Sequence, residues 1–310
     1  MRVAVVGAGG LGGMFGGLHA RVGHDVVFIA RGGNLLALRN DGLTVRLPNE
    51  EFHLAVTATD STAELDPVDL VWFCVKTYDA PSAAQMLQPL LRPETIILPI
   101  QNGLGTAEMI ASVVGPGHVV GAVNLGGATL IAPGVVEAKG PRREVAIGEL
   151  AGCETKPNRL LTEVLNDAGI EVQVKDDIRA EIWDKWVVAC VTLGLCALLR
   201  QPLEPIFAHA ETTRLAEGIM QEAAAVAQAS GVSLPEDTVD RWVRYIKERV
   251  QANPSVAGSM YYDILGGRKL ELEAMNGAAV RFGRQLGVPT PLNFAVFAAL
   301  LPYSNGIPAN

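Results

Sequence analysis

Val3-Ala4-Val5-Val6-Gly7-Ala8-Gly9-Gly10-Leu11-Gly12 runs a short apolar stretch straight into G-x-G-x-x-G. Four consecutive small or β-branched apolar residues suit a strand buried on both faces of a parallel sheet. Each glycine after them has a reason to be there. Gly7 permits a tight turn, Gly9 lets the backbone approach a pyrophosphate, and Gly12 lets the following helix pack closely on the strand. The start of that helix then offers unpaired N–H groups and the positive end of its dipole to phosphate. A glycine-rich turn with no ligand would use the same residues, so the context carries the weight. The strand begins at Arg2 and a second one ends near Ala30, as a dinucleotide fingerprint requires. Gly7, Ala8, Gly9, Gly10, Leu11 and Gly12 are therefore expected to hold a cofactor's phosphates. Where an NAD site places an acid for the ribose 2′-OH, this chain has Arg31. A guanidinium there can fork onto a 2′-phosphate, which points to NADP(H), although an ordinary surface cation is the other reading.

Outward from that turn, the first half alternates apolar strands with helical stretches. Strands are expected at Arg2–Val6, Asp25–Ala30, Leu70–Val75, Thr95–Pro99 and Val119–Val123, with strand-like segments at Gly134–Ala138, Glu144–Ile147 and Ile170–Val174. Gly152–Asn158 reads as a loop and Arg159–Ala168 as a helix. Such alternation implies an α/β, doubly wound, Rossmann-type layer. From Asp176 onward helical periodicity takes over, at Glu181–Leu199, Ala208–Ser230, Pro235–Val250 and Leu270–Leu286. Stops at Gly231, Asn253-Pro254 and Gly287 punctuate it. With 310 residues and about 150 per domain, two domains are expected: 1–175 for the cofactor and 176–310, all-helical, for substrate.

Several polar groups sit where such a sheet collects ligands, beyond the carboxyl ends of its strands. Lys76 closes Leu70–Val75 and could serve an anionic group, or be a solvated lysine. Asn102 follows the Thr95–Pro99 strand in Gln101-Asn102-Gly103. It could donate and accept toward a ribose or substrate oxygen, or simply form an Asn-Gly turn. In the helical half, Lys185 lies in Trp183-Asp184-Lys185-Trp186-Val187. It either snorkels or is a desolvated ammonium ready to give up a proton. Ser259 and Asp263 stand at i and i+4, so they share a helix face, and Glu271 follows after the Gly266-Gly267-Arg268 break.

Composition narrows the classes. A chain 49% hydrophobic and 19% charged, with mean hydropathy +0.25, is not disordered. A net charge of −8 lacks the basic stripe of a nucleic-acid platform. Cys74, Cys153, Cys190 and Cys196 form no CxxC, which suits a reducing compartment. His19, His24, His53, His118 and His209 have no ligand spacing, so no metal is expected. The longest apolar run, Trp186–Leu199, has 14 residues, against the ~18 of a membrane span. Glycines between Gly7 and Gly17 would break a signal helix. A soluble cytoplasmic protein, without nucleic-acid or membrane partners, is expected.

Taken together, the chain resembles the ketopantoate reductases (2-dehydropantoate 2-reductases) over nearly its full length. The resemblance rests on an ordered series: Gly7–Gly12, Arg31-Gly32 with Leu38-Arg39 and Gly42-Leu43, Val75-Lys76, and Gln101-Asn102-Gly103. It continues through Trp183-x-Lys185 and the block Ser259-Met260, Asp263, Glu271, Asn276-Gly277. It implies a Rossmann domain followed by a helical domain like that of 6-phosphogluconate dehydrogenase, with the active site in the cleft between them. It also implies NADPH-dependent reduction of a 2-oxo acid, 2-dehydropantoate to pantoate in pantothenate biosynthesis, with Lys185 as proton donor. Asn102 would touch cofactor and substrate, Ser259 the substrate, and Lys76 and Glu271 the cofactor side. A homodimer through the helical domain stays an open option. The chain departs from the family where asparagines usually follow the lysine by four and eight residues: it has Ala189 and Leu193, and Leu203 near a third. An apolar stripe there favours 2-oxo acids or imines with bulkier apolar tails. Two alternatives stand beside the main reading: a same-fold reductase of another 2-oxo acid, ketone or imine, and a non-catalytic NADP(H) sensor.

Overall fold

The structure is a computed structural model and describes residues 1–150 and 159–306. The expected loop Gly152–Asn158, with Cys153, lies outside the described residues. Two compact units are present: Met1–Gln101 with Gly105–Arg179, and Asn102–Leu104 with Ala180–Asn310. The second unit thus begins after Arg179 and also takes in a three-residue turn from the first half of the chain.

The strands of the first unit are β1 (Arg2–Val6), β2 (Asp25–Ile29), β3 (Leu43–Leu47), β4 (Glu50–Leu54), β5 (Thr57–Thr59) and β6 (Leu70–Phe73). They continue with β7 (Ile96–Pro99), β8 (Gly121–Asn124), β9 (Ala128–Ala132), β10 (Val135–Ala138), β11 (Glu144–Gly148) and β12 (Glu171–Val174). Its helices are α1 (Gly10–Arg21), α2 (Gly32–Asn40), α3 (Ala80–Gln85), α4 (Thr106–Val114) and α5 (Arg159–Asp167). Five strands form one parallel sheet in the order β5-β2-β1-β6-β7. Val3 pairs with Val26 on one side and Leu70 on the other. The order reverses at β1, where a doubly wound sheet binds its ligand. The continuous burial of Val3–Val6 follows from having layers on both faces.

The expected strand Val119–Val123 meets that sheet only by a parallel bridge from Val119 to Ile97 before β8 leaves it, and the later strand-like segments do not extend it. They build two smaller mixed sheets, β4-β3-β10-β9 and β12-β11-β8, in which antiparallel pairs such as β3 with β4 appear. Helix α1 explains how a second layer comes so close. A methyl group on Gly16 would strike Phe28 and Val5 below, while one on Gly13 or Gly17 would strike Val136 or Val45 of the second sheet. The extra glycines of the opening segment therefore serve packing on both sides of α1, a role separate from phosphate binding.

The second unit is helical: α6 (Ile178–Ala189), α7 (Cys196–Leu199), α8 (Leu203–Ala208), α9 (Ala210–Ala229), α10 (Thr238–Ala252), α11 (Ser259–Leu265), α12 (Asn276–Leu286) and α13 (Pro291–Leu300). A π-helical stretch, Cys190–Leu195, joins α6 to α7. The expected helix Leu270–Leu286 is shorter in fact, because Met275 takes φ −101°, ψ −109°, outside the helical region. Leu270 and Glu271 precede a 3₁₀ turn, Leu272–Ala274. Ile178–Leu199 is a single 22-residue helix, long and apolar enough to cross a membrane, and 67% of its most apolar window is buried inside the fold. Trp186, Val187, Val191 and Leu195, all essentially inaccessible, form the centre of this unit's core.

Candidate active site

The glycine loop has the shape its composition called for. Gly7 has φ +99°, and a Cβ there would fall 2.7 Å from the backbone nitrogen of Val75, so only glycine lets the loop cross the end of β6. Around Gly9, by contrast, nothing lies within 4 Å of where a Cβ would stand, and this residue caps α1 without any side-chain hydrogen bond. Free helix-start N–H groups facing open space are what a pyrophosphate needs. A cavity of about 220 Å³ is lined by Gly7, Ala8, Gly9, Arg31, Asn34 and Ser82 among others. The residues present therefore fit a dinucleotide. Gly10, Leu11 and Gly12 stand at the start of α1 rather than on the cavity wall: a Cβ on Gly10 would collide with the Ala128 carbonyl, and one on Gly12 with the Gly7 carbonyl.

Arg31 is at the cavity rim with its side chain 71% exposed, and its Nη2 donates to Asp79 Oδ2 at 2.9 Å. Lys76, half-buried, precedes the short 3₁₀ turn Thr77–Asp79 and is not on the wall of this cavity. Two contributors were not singled out in the sequence. Asn34 clamps the loop, its Nδ2 donating to the Ala8 carbonyl at 2.7 Å while its Oδ1 accepts from Gly134 N–H at 2.8 Å. Asp79 is the other; an acid shortly after Lys76 is unremarkable in sequence and gains meaning only beside Arg31.

The remaining candidates, Asn102, Lys185, Ser259 and Glu271, all belong to the second unit. Three backbone approaches tie their elements together. Gly258 N–H donates to the Thr192 carbonyl at 3.1 Å, which sets the start of α11, and so Ser259, against the π-helical stretch following Lys185. Gly194 of that stretch packs on Asn276, at the start of α12. Gly103, with φ +99°, packs on Ala274 and Met275, bringing the Asn102 turn to the segment that follows Glu271. Just before it, Gln101 Nε2 donates to the Phe73 and Val75 carbonyls at 2.7 and 3.1 Å.

Lys185 is held by its neighbours. Asp184 Oδ1 accepts from Arg241 Nη2 at 2.6 Å and Trp242 Nε1 at 3.2 Å, fastening α6 to α10. Trp183 and Trp186 are buried and meet edge to face at 5.4 Å. The Lys185 side chain is half-buried between these anchors, and desolvation pushes its ammonium down to about 8, within reach of proton transfer near neutral pH. Ser259 Oγ is buried without a hydrogen-bond partner among the described residues, a hydroxyl left for something outside the fold. Asp263 does not face Ser259 as a partner. Arg268 Nε donates to its Oδ1 at 3.0 Å, so that carboxylate closes the C-terminal turn of α11. Glu271 is buried. Ala189, Leu193 and Leu203 are buried at 3%, 5% and 4% exposure in the apolar core.

Comparison with known proteins identifies the family. The family described as "Ketopantoate reductase PanE/ApbA" matches residues 3–152, and its C-terminal counterpart matches residues 177–304. A 2-dehydropantoate 2-reductase from Halobacterium salinarum is 31% identical, over 94% of this chain and 95% of its own. One from Mesorhizobium japonicum is 30% identical over 96% of each. The solved structure of a PanE/ApbA family ketopantoate reductase from Ralstonia eutropha JMP134 superposes with a TM-score of 0.88 at 30% identity, covering 98% of both chains.

Proposed function

This chain belongs to the ketopantoate reductase family, and on that premise we propose that it reduces a 2-oxo acid to the 2-hydroxy acid with NADPH, 2-dehydropantoate being the substrate. The observation that carries the reading is Lys185: an ammonium brought down to about 8 by desolvation, in the unit that also holds Asn102 and Ser259. NADPH, when bound, supplies the hydride received by the substrate's C2. Everything else falls to side chains of this chain. Lys185 Nζ gives its proton to the carbonyl oxygen as negative charge grows there, and remains as a neutral amine to be reprotonated from solvent. The Asn102 amide and the Ser259 hydroxyl orient the carbonyl and carboxylate, since chemistry of this kind is largely positioning and charge stabilisation. Gly7, Ala8 and Gly9 line the cavity that would take the pyrophosphate, with Gly10, Leu11 and Gly12 opening the helix behind them; Arg31 would take the 2′-phosphate, and Lys76 and Glu271 are assigned to the cofactor beyond that cavity's wall.

A cytoplasmic location in pantothenate biosynthesis belongs to the same reading. So does a homodimer through the helical unit, which the exposed Phe294 and Leu301, each at 47%, support. A non-catalytic NADP(H) sensor would need the glycine loop but no desolvated proton donor, so Lys185 argues for the enzyme. Following NADPH absorbance with a panel of 2-oxo acids tests the reading. Turnover of 2-dehydropantoate is expected; NADPH binding with no turnover of any member would favour the sensor.

A further inference from the structure

Arg31 does not meet its ligand as an isolated cation. Its guanidinium already donates to Asp79 at 2.9 Å, across 48 residues of sequence. A second acid, Asp60, lines the same 220 Å³ cavity and lies 3.7 Å from Arg39, the two side chains 62% and 45% exposed. The rim that should recognise a 2′-phosphate thus carries the wall-lining Arg31 guanidinium with a carboxylate bonded to it, and the same wall holds a further carboxylate, Asp60, paired with Arg39. The Asp79 side chain is 35% exposed. It lies on the short turn that leads into α3, whose Ser82 and Ala83 are on the cavity wall, and the Ser82 hydroxyl donates to the Asp79 carbonyl at 2.9 Å. The turn that carries the acid is therefore tied to the helix that lines the wall, and its carboxylate is held by Arg31.

We infer that Asp79 is a specificity-determining residue which, by sharing the Arg31 guanidinium, holds down the preference for a 2′-phosphorylated cofactor over its 2′-hydroxyl counterpart. This rests on the NADPH reading above. The physical reason is a difference in charge. A 2′-phosphate brings negative charge beside Asp79 and must compete with it for the guanidinium N–H groups; a ribose 2′-OH does neither. Asp79 therefore disfavours NADPH and is close to neutral toward NADH. Two roles of the carboxylate oppose each other: it orients Arg31, and it repels phosphate. With the guanidinium largely in solvent, orientation by an exposed pair contributes little, so repulsion and competition decide the sign.

Nucleotide binding by wild type, Asp79→Asn, Asp79→Ser and Arg31→Ala, measured by titration calorimetry with NADPH and NADH, tests this without reference to turnover. Both Asp79 variants should bind NADPH roughly three- to tenfold more tightly and NADH within about twofold of wild type. That gain should shrink as salt is raised toward 1 M, where the screening length is about 3 Å. Arg31→Ala should weaken NADPH alone, and Asp79→Asn added to it should recover less than in the wild-type background, because the competition is then gone. Weaker NADPH binding in the Asp79 variants would make Asp79 an orienting group and overturn the inference, as would unchanged binding or an equal shift for both nucleotides. If wild type binds neither nucleotide, the cofactor reading itself falls and the inference with it.

Discussion

Lys185 is the residue on which the chemistry turns, and its altered acidity makes a signed prediction. Below about 8 the ammonium keeps its proton and can act as acid; above that it is a neutral amine. Reduction should therefore fall as pH rises through about 8, and oxidation of the 2-hydroxy acid should rise over the same interval, read from kcat/KM profiles in both directions. Lys185→Ala should cut reduction roughly 100- to 10,000-fold, the range for removing a general acid, with NADPH affinity nearly unchanged. Lys185→Arg should abolish the alkaline limb, since a guanidinium does not titrate there; a limb that persists would assign it to another group. The same desolvation bears on stability. A lysine whose folded value lies below its unfolded one is penalised while charged, and the penalty lifts as pH rises from about 8 toward 10.5. Lys185→Met should accordingly melt higher than wild type at neutral pH, a check that needs no substrate.

Elements place that residue, and two of them carry predictions of their own. Helix α6 is fastened to α10 through one carboxylate oxygen of Asp184, which accepts from Arg241 and Trp242. Asp184→Ala strands these donors, and the Thr238 hydroxyl at 3.4 Å with them, and should cost about 1–3 kcal/mol, seen as a lower thermal midpoint. Asp184→Asn, which retains an acceptor, should lose less. Helix α1 holds the second case. Its His19 is fully buried, the Nδ1 atoms of His19 and His24 lie 2.8 Å apart, and burial followed by the charge of His24 pushes the His19 imidazole down to about 3. Unfolded, the imidazole binds a proton below 6.5; folded, it does not until about 3, so acid favours the unfolded chain across that window. Stability should fall by up to about 1.4 kcal/mol per pH unit below 6.5. His19→Phe should flatten the slope between pH 6.5 and 5, where carboxylates contribute least; an unchanged slope would place its origin elsewhere. The π-helical turn at Cys190–Leu195 shows what periodicity alone misses: an extra residue in one turn leaves an apolar helix looking apolar, yet it sets which backbone meets Gly258 and Asn276.

For the whole molecule, the open quantity is what the substrate's tail meets. Ala189 follows Lys185 by one turn of α6, Leu193 stands in the π-helical stretch beyond it, where the α-helical period no longer holds, and both lie in the core. Ala189→Asn with Leu193→Asn should lower the thermal midpoint, as buried amides without full partners do. It should also raise the ratio of kcat/KM for 2-dehydropantoate to that for 2-oxoisovalerate. An unchanged ratio would mean these side chains serve the core alone. The sequence by itself determined the parallel sheet, the glycine loop, the change to helices after Asp176 and the order of polar groups along the chain. Those rest on local causes: burial on both faces makes Val3–Val6 uniformly apolar, and a tight turn demands Gly7. Only the tertiary structure decided the rest. It enrolled Asn102–Leu104 in the second unit, used Gly13, Gly16 and Gly17 for packing, drew β8 to β12 into side sheets, spent Asp263 on Arg268, and set Asp79 against Arg31. None of these leaves a periodic trace, because a contact between residues dozens of positions apart depends on how layers stack, and the residue types that make it are equally at home on an open surface.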